Sequence, residues 1–477
     1  MKNGNDLRAR KARWMYIVID LITTFLAFLL FNICRYYILL AHLDDFEQRS
    51  FAAFILSYKL ILEEIFVPLG MLGIYWLSGF YNQPFQKARL QIASNSLWSS
   101  AFNTSLIFVL FILNDAPAKK IYYLLLLLLW ALLFVCLYMG RLIVNSYCMR
   151  RLRRGDKKTD VLIIGNSQSS REVASQLREA RLQIPVNIIG YVALEGEDNV
   201  ADGMRVWPIS RLMDVCLETN PDQVIIAMQR FSDVEVMHIL DQLIGLDIPI
   251  KINPDTFSFV TSSIRQGDIM GLPFVDLTSP SMSEFQKNVK RTFDVVMSAV
   301  VMTVLSPLYL LLYLRVRFTS SGGAIYAQER IGLHQKPFRM YKFRSMYVDA
   351  EKEGPQLTHD GDSRITPVGR VMRKYRLDEL PQFWNVLKGD MSFVGPRPER
   401  EYFIRQIIEK APYYSLVFRT VPGITSWGMV KYGYAENIDQ MVERLRYDLI
   451  YMNNMSILTD VKIMIYTIKT VVTGEGK

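Results

Sequence analysis

Four long apolar segments fill the first third of the chain, at about 14–40, 60–80, 92–113 and 121–144. Each approaches the roughly 20 residues that a helix needs to cross a bilayer. The pattern therefore predicts a four-helix transmembrane bundle over residues 1–149. The second segment is the weakest, because Lys59, Glu63 and Glu64 crowd its start. Lys59 and Glu63 stand four apart and can pair on one helix face. Asp20 and Arg35 interrupt the first segment and must snorkel or face the bundle interior. Arg8, Arg10, Lys11 and Arg13 precede the first segment, and Arg150, Arg151, Arg153, Arg154, Lys157 and Lys158 follow the last. Basic flanks stay in the cytoplasm, and an even number of spans returns both ends there. The acidic Asp44, Asp45 and Glu47 fit the opposite side. The first segment is too long for a removable signal peptide and reads as a retained anchor.

The basic run at 150–158 is also a boundary. Beyond it the period changes to an α/β rhythm: strand 160–164, turn 165–170, helix 171–180, strand 186–192, then strand 223–227 and helix 233–244. This predicts a Rossmann-like α/β domain over 150–282. Its first turn reads Gly165-Asn166-Ser167-Gln168-Ser169-Ser170 and keeps only the first glycine of the GxGxxG loop. The missing glycines are those that let backbone approach a pyrophosphate and let the helix pack closely. A structural or regulatory domain is expected.

A third region, 283–477, opens with Lys287, Lys290 and Arg291 before an apolar run at 293–316, closed by Arg315 and Arg317. Ser306 and Pro307 sit in its middle, and proline breaks a helix. The run is either a fifth full span or a re-entrant membrane helix hairpin at about 290–317. Basic flanks at both ends favour the hairpin.

Composition narrows the chemistry. The chain is 51% hydrophobic with a net charge of +9, and its Lys and Arg cluster beside apolar segments. That favours an anionic lipid surface or phosphorylated substrates, with no nucleic acid partner. Four scattered cysteines and four scattered histidines form no disulfide or zinc pattern.

Residues 321–400 are dense in glycine, arginine and short polar motifs. Arg330 follows a predicted strand at 324–328, and Lys342 and Arg344 follow another at 337–341; basic side chains near such glycine turns can hold phosphates. A short basic helix follows with Arg370, Arg373, Lys374 and Arg376, then Leu377-Asp378-Glu379-Leu380-Pro381-Gln382. Cations lower a carboxylate pKa, so Asp378 is expected to be ionised. An ionised aspartate can attack phosphorus or hold Mg2+; the bland alternative is helix capping and surface pairing. Pro396 and Pro398 stiffen the backbone on both sides of Arg397 and aim one guanidinium, whose fork suits a phosphate.

The order of these pieces is more specific than any one of them. Tyr341–Met346, Leu377–Gln382, Asn385–Asp390, Val394–Pro398 and Pro422-Gly423-Ile424-Thr425 together resemble the polyprenyl-phosphate glycosylphosphotransferases, also called monotopic phosphoglycosyl transferases. With the preceding hairpin the resemblance covers about 190 residues. The four-span bundle and Rossmann-like middle resemble the long, multidomain branch. The resemblance implies transfer of a sugar-1-phosphate from a UDP-sugar to undecaprenyl phosphate with release of UMP, starting O-antigen, capsule or exopolysaccharide repeat units. It implies a ping-pong reaction through a phosphosugar-aspartate, with Asp378 as nucleophile and Glu379 as its partner. It further implies Mg2+ held by Asp378 and Glu379, a membrane break at Ser306-Pro307, and phosphate-site roles for Arg373 and for Pro396-Arg397-Pro398. A bacterial inner membrane location, a catalytic domain on the cytoplasmic face and a homodimer belong to the same expectation. One departure stands out: the family's Gly-Arg-Asn element after the Pro-Gly-Ile-Thr turn is absent, and Lys431 is the candidate substitute. A nucleotide-sugar dehydratase would need an intact glycine loop, and a catalytically dead scaffold would show a broken Asp-Glu pair.

Overall fold

The protein, seen in a computed structural model, is described at residues 3–42, 50–82, 84, 89–112, 119–151, 158–179, 186–194, 203–228, 233–246, 248–253, 275–276, 282–319, 322–350, 354, 356, 362–433 and 435–473. The chain divides into two compact units, the first built on Met1–Lys158 and the second on most of the rest.

The first unit contains α1 (Asn3–His42), α2 (Phe51–Ile55), α3 (Tyr58–Leu77), α4 (Arg89–Ile107) and α5 (Lys119–Arg151). Tyr16, Phe28, Phe31, Tyr75, Leu125 and Leu129 pack its core. Ile22, Phe66 and Leu127 are exposed on its outside. Helices that are apolar on the inner and the outer face belong in lipid. Three of them, Ala9–His42, Tyr58–Leu77 and Ile121–Arg151, are long and apolar enough to cross a membrane. The expected span at 92–113 departs from that pattern. Its described part is α4, whose Ser96, Ser99, Ser100, Asn103 and Thr104 are buried, followed by a π-helical turn, Phe108–Ile112.

Two polar residues in the first half of α4, Asn95 and Ser96, have a physical reason. Arg141 on α5 is fully buried and pairs with the equally buried Asp20 at 2.8 Å. Its other amino group donates to Asn95 Oδ1 at 3.0 Å and Ser96 Oγ at 3.2 Å, and its guanidinium lies 3.8 Å from the centre of the Phe80 ring. A buried ion pair persists when its remaining donors are satisfied, and α4 supplies those acceptors. Asp20 therefore faces the interior, as one of the two expectations held. Lys59 does pair with Glu63, at 3.8 Å. Asp44, Asp45, Glu47, Arg153, Arg154 and Lys157 lie outside the described residues.

The second unit opens with a sheet in the order β3-β2-β1-β4-β5-β6. Its strands are β1 (Thr159–Ile164), β2 (Val186–Ala193), β3 (Val206–Pro208), β4 (Gln223–Ile226), β5 (Ile250–Ile252) and β6 (Val275–Asp276). All pairs are parallel except β5 with β6. α6 (Gln168–Glu179), α7 (Leu212–Thr219) and α8 (Asp233–Leu243) connect or cover them. This is the doubly wound order, as the α/β rhythm predicts. Gly165 has φ +114° and a Cβ there would meet Ala227 O at 2.6 Å, so both backbone conformation and packing require the first loop glycine. Ser170, where the third glycine would stand, donates its hydroxyl to the same carbonyl at 2.6 Å.

Then come α9 (Glu284–Val304) and α10 (Ser306–Thr319), bent by 65° at the break between them. Ser306 and Pro307 begin the second helix, where proline costs least. Lys290 and Arg291, read from sequence as a basic flank, serve inside the protein. Lys290 Nζ donates to Val394 O at 2.9 Å and pairs with Asp460. Arg291 donates to Val386 O at 2.7 Å and Leu387 O at 3.0 Å. Their charges thus say less about membrane orientation than the flank pattern does. The remaining elements are the hairpin β7 (Ile325–Ile331) and β8 (Pro337–Phe343), α11 (Pro367–Lys374), α12 (Gln382–Lys388), β9 (Ser392–Val394), α13 (Glu401–Lys410), β10 (Gly423–Thr425), α14 (Trp427–Lys431), α15 (Ile438–Asn453) and α16 (Ile457–Thr473).

Candidate active site

The site grows from the end of β8. Asn385 on α12 fixes that strand by accepting from Tyr341 N at 3.1 Å and donating to Arg339 O at 2.7 Å. β8 then delivers Lys342 inward. After it, α11 packs closely on the chain: a Cβ on Gly369 would lie 1.9 Å from Ser345 O, so only glycine fits. The Thr366 hydroxyl caps this helix by accepting from Gly369 N at 2.9 Å. Arg373 Nε donates to Ser345 Oγ at 2.9 Å. Arg376 then takes the left-handed conformation, φ 53°, and turns the chain into a 3-10 turn, Leu377–Glu379. That reversal buries the adjacent carboxylates, leaving Asp378 7% and Glu379 6% exposed.

The two carboxylates differ in their partners. Glu379 is met by Lys342 at 3.3 Å, Arg376 at 3.7 Å and Arg397 at 3.7 Å. Burial acts to raise its pKa, but Lys342, Arg397 and Arg376 outweigh burial and hold it at about 2. Asp378 makes no salt bridge among the described residues. Burial raises its pKa, the neighbouring Glu379 charge adds to that, and Lys342 and Arg373 only partly offset it. The expectation that nearby cations lower the Asp378 pKa is therefore corrected: they act mainly on Glu379. Burial also lowers the Lys342 pKa, against the pull of Glu379.

Both carboxylates open into a cavity of about 800 Å3. Arg330, Lys342, Arg344, Arg373 and Arg397, all expected phosphate ligands, line it. Its described lining carries ten Lys and Arg against five Asp and Glu. That surplus suits a polyanionic ligand rather than a neutral one.

The prolines stand at the edge of the cavity on either side of Arg397. Pro396 and Pro398 do not line the cavity among the described residues; their carbonyls frame it. Pro396 O accepts from Gly423 N at 3.0 Å, and Pro398 O accepts from Arg330 Nη1 at 3.0 Å. This places the Pro-Gly-Ile-Thr turn beside the Pro-Arg-Pro loop, with β9 and β10 paired in parallel. A Cβ on Gly423 would lie 2.1 Å from Gly395 N, so the approach needs that glycine.

Sequence reading missed Glu399 and Arg444. Glu399 accepts from Arg330 at 3.0 Å and from Arg444 at 2.6 Å, and both arginines line the cavity. Burial works to raise the Glu399 pKa, and Arg444 and Arg330 overcome it and bring it down. Adjacency to Pro398 was the only signal for Glu399; Arg444 lies 45 residues away with none. Lys431, the candidate substitute for the absent arginine, is corrected. Its amine lies 5.1 Å from the Trp427 ring and 4.7 Å from the Tyr466 ring, and it does not line the described cavity. Ser306 and Pro307 also stand apart from the lining, but Tyr309 one turn later donates to Leu380 O at 2.6 Å, beside the carboxylates.

Among the described residues no group of three His, Cys, Asp or Glu side chains converges as a metal cage. Mg2+ commonly uses one or two protein carboxylates and completes its shell with substrate phosphates and water. Asp378, buried and without a salt bridge, fits that use; Glu379 is already engaged by three cations.

Comparison with known proteins adds the rest. Residues 285–474 match the family described as bacterial sugar transferase. A UDP-N-acetylgalactosamine-undecaprenyl-phosphate N-acetylgalactosaminephosphotransferase of Aeromonas hydrophila is 42% identical over 188 residues, 39% of this chain and 44% of that protein. A UDP-glucose:undecaprenyl-phosphate glucose-1-phosphate transferase of Caulobacter vibrioides is 33% identical over 234 residues, 48% of this chain and 82% of that protein. The galactosyl transferase CpsE of Streptococcus agalactiae is 26% identical over 443 residues, 88% of this chain and 95% of that protein. At the higher identities the chain spans about half the length of the curated relatives it matches.

Proposed function

This chain belongs to the bacterial sugar transferase family, and on that premise we propose that it transfers a sugar-1-phosphate from a UDP-sugar to undecaprenyl phosphate, releasing UMP. The observation that carries the reading is the split carboxylate pair: a buried Asp378 without a salt bridge, next to a Glu379 held by three cations, in a cavity with surplus positive charge. The relatives' names differ in the sugar, N-acetylgalactosamine, glucose or galactose, so the sugar is left open.

In the proposed reaction a carboxylate oxygen of Asp378 attacks the phosphorus that bears the sugar. The bond from that phosphorus to the UMP oxygen breaks, and UMP leaves with the electron pair. The sugar phosphate remains on Asp378 as an acyl phosphate. A phosphate oxygen of the lipid carrier then attacks the same phosphorus, and the aspartate leaves. Two displacements give ping-pong kinetics. One diphosphate bond replaces another, so no further energy source is required.

Arg330, Lys342, Arg373 and Arg397 would neutralise the donor's phosphates and stabilise charge in the transition state. Glu379 holds Lys342 and Arg397 charged and in place. Mg2+ would be held by Asp378 with substrate phosphate oxygens and would lower the repulsion between anionic nucleophile and anionic diphosphate. The bent pair of α9 and α10 is read as a re-entrant hairpin in one leaflet of the inner membrane. It would keep the cavity at headgroup depth on the cytoplasmic face, where a carrier lipid presents its phosphate.

The test uses the full-length chain and Asp378→Asn in nanodiscs, with Mg2+, undecaprenyl phosphate and a panel of UDP-sugars. UMP release with one sugar, lost in the variant, is the expected result. UMP release that survives the substitution would sink the nucleophile assignment, and no release with any sugar would sink the reaction.

A further inference from the structure

The middle α/β domain has no role in the chemistry above, yet it grips one end of the catalytic hairpin. β7 and β8 are joined by Gly332-Leu333-His334-Gln335-Lys336, with Lys336 N bonded to Leu333 O at 3.2 Å. His334 and Gln335 both have positive φ, 54° and 57°. A two-residue turn of this kind normally uses Asn-Gly, because side chains disfavour left-handed backbone. Two ordinary residues in succession therefore need outside support.

That support comes from α8. Gln335 Nε2 donates to Asp241 O at 3.1 Å and Oδ1 at 3.4 Å. The same Asp241 Oδ1 accepts from the Ser415 hydroxyl, and Ser415 is fully buried in the 3-10 stretch Pro412–Arg419. Gly245, two residues beyond α8, sits directly against the turn: the nearest turn atom to its Cβ position is Gln335 Oε1 at 3.4 Å, an ordinary packing contact. Apolar contacts run both ways across the same seam. Leu416 packs against the core of the α/β domain, and Ile244 is buried among Val394, Phe403 and Tyr414 of the catalytic part.

The turn is close to the cavity by register. Ile331 pairs with Pro337 at the last rung, and Ile331 N bonds Glu399 O at 3.1 Å. Arg330, the next residue, holds Glu399 and Pro398 O and lines the cavity. Movement at the turn would reach Arg330 and the Pro-Arg-Pro loop before it reached Lys342 near the far end of β8.

We propose that Asp241 is a positioning residue, through which the middle domain holds the strained His334-Gln335 turn and so sets Arg330 against the phosphate end of the cavity. This rests on the proposed sugar-phosphate transfer for its kinetic consequence, though not for its structural one. Asp241 does not touch substrate; it acts through Gln335 and the hairpin.

The experiment measures amide hydrogen exchange in peptides covering 325–343, on the full-length protein in nanodiscs. Wild type is compared with Asp241→Ala, Asp241→Asn and Gln335→Gly. Asp241→Ala keeps the backbone carbonyl that Gln335 meets at 3.1 Å and removes the Oδ1 that Gln335 and Ser415 share, so exchange at the turn and at Ile331 should speed up several-fold, short of the roughly tenfold of a whole lost hydrogen bond. Asp241→Asn keeps an oxygen acceptor and should restore slow exchange. Gln335→Gly removes the link while suiting the positive φ, so the fold is retained and the turn should still loosen. Val215→Ala on α7 is the control, since it opens the core of the middle domain away from the turn. In the kinetic arm, kcat/KM for the UDP-sugar should fall in Asp241→Ala, because Arg330 meets the donor phosphates in both ground and transition states, and Asp241→Asn should restore it. Unchanged hairpin exchange in Asp241→Ala, or an equal effect from Val215→Ala, overturns the proposal. A loosened hairpin with unaltered kcat/KM in an active enzyme also overturns it. If the wild type transfers no sugar phosphate, the exchange arm still decides the clamp, and only the reaction fails.

Discussion

Glu379 is the charge on which the site is organised, and removing that charge has a calculable cost. Its side chain is 7% exposed and meets Lys342, Arg376 and Arg397 within 3.7 Å. Its pKa falls from the ordinary 4.5 to about 2 in the folded protein. Each tenfold in the protonation constant is worth about 1.4 kcal/mol, so the ionised form stabilises the fold by about 3 kcal/mol. Because the folded pKa is depressed, that contribution is complete above pH 4.5 and is lost as pH falls toward 2. Glu379→Gln removes it at every pH and leaves three cations facing one another. Thermal unfolding of the full-length protein and the variant in nanodiscs, at pH 7 and again near pH 3, measures this directly. At about 2 °C per kcal/mol for a unit of this size, the variant should melt on the order of 5 °C lower at pH 7. The gap should narrow near pH 3, where wild-type Glu379 begins to protonate. A gap of equal size at both pH values would refute the electrostatic reasoning, since lost packing does not titrate. No gap at pH 7 would show that solvent already screens the cluster.

Two further outcomes follow from the same geometry. The rate of UMP release should fall on the acid side with an apparent pKa above the ordinary aspartate value of 3.8, because burial and Glu379 raise Asp378. It should fall on the alkaline side below the ordinary lysine value of 10.5, because burial lowers Lys342; a profile flat from pH 4 to 10 would contradict both. Asn385→Ala should cost about 2–3 kcal/mol, measured by thermal unfolding, because it strands Tyr341 N and Arg339 O on β8. A loss below about 0.5 kcal/mol would show that water replaces the amide.

Sequence made the parts of this site legible more readily than their wiring. The five basic residues Arg330, Lys342, Arg344, Arg373 and Arg397 and the Asp378-Glu379 pair were all readable from local motifs, and all line one cavity. Strand and helix positions in the α/β domain follow hydrophobic period, which is local. Arg141 was not readable, because a buried arginine in an apolar helix announces itself only through Asp20, 121 residues away. The same distance problem hid Arg444 and the α8–turn contact at Asp241. The same distance hides why Asn95 and Ser96 interrupt the apolar segment at 92–113: they accept from Arg141, some 45 residues away. For Pro396 and Pro398 the motif could not show that their carbonyls bond Gly423 N and Arg330, since carbonyl partners leave no mark in sequence.

The direction of each pKa shift gives the Asp-Glu pair its division of roles. Adjacent carboxylates of near-equal burial would ordinarily titrate alike. Here the 3-10 turn points Glu379 at three cations and leaves Asp378 without an ion pair, so the two are driven apart. A carboxylate fully neutralised by arginine and lysine is a weak nucleophile, because its charge is already shared. One held in low dielectric without such a partner keeps its electron density for an incoming phosphorus. Reversing the pair's surroundings, rather than its order in sequence, would therefore exchange the roles. The left-handed Arg376 sets those surroundings: it starts the turn and also supplies one of the cations that meet Glu379. The electrostatic asymmetry of the pair is thus a consequence of backbone geometry one residue upstream of the motif that carries it.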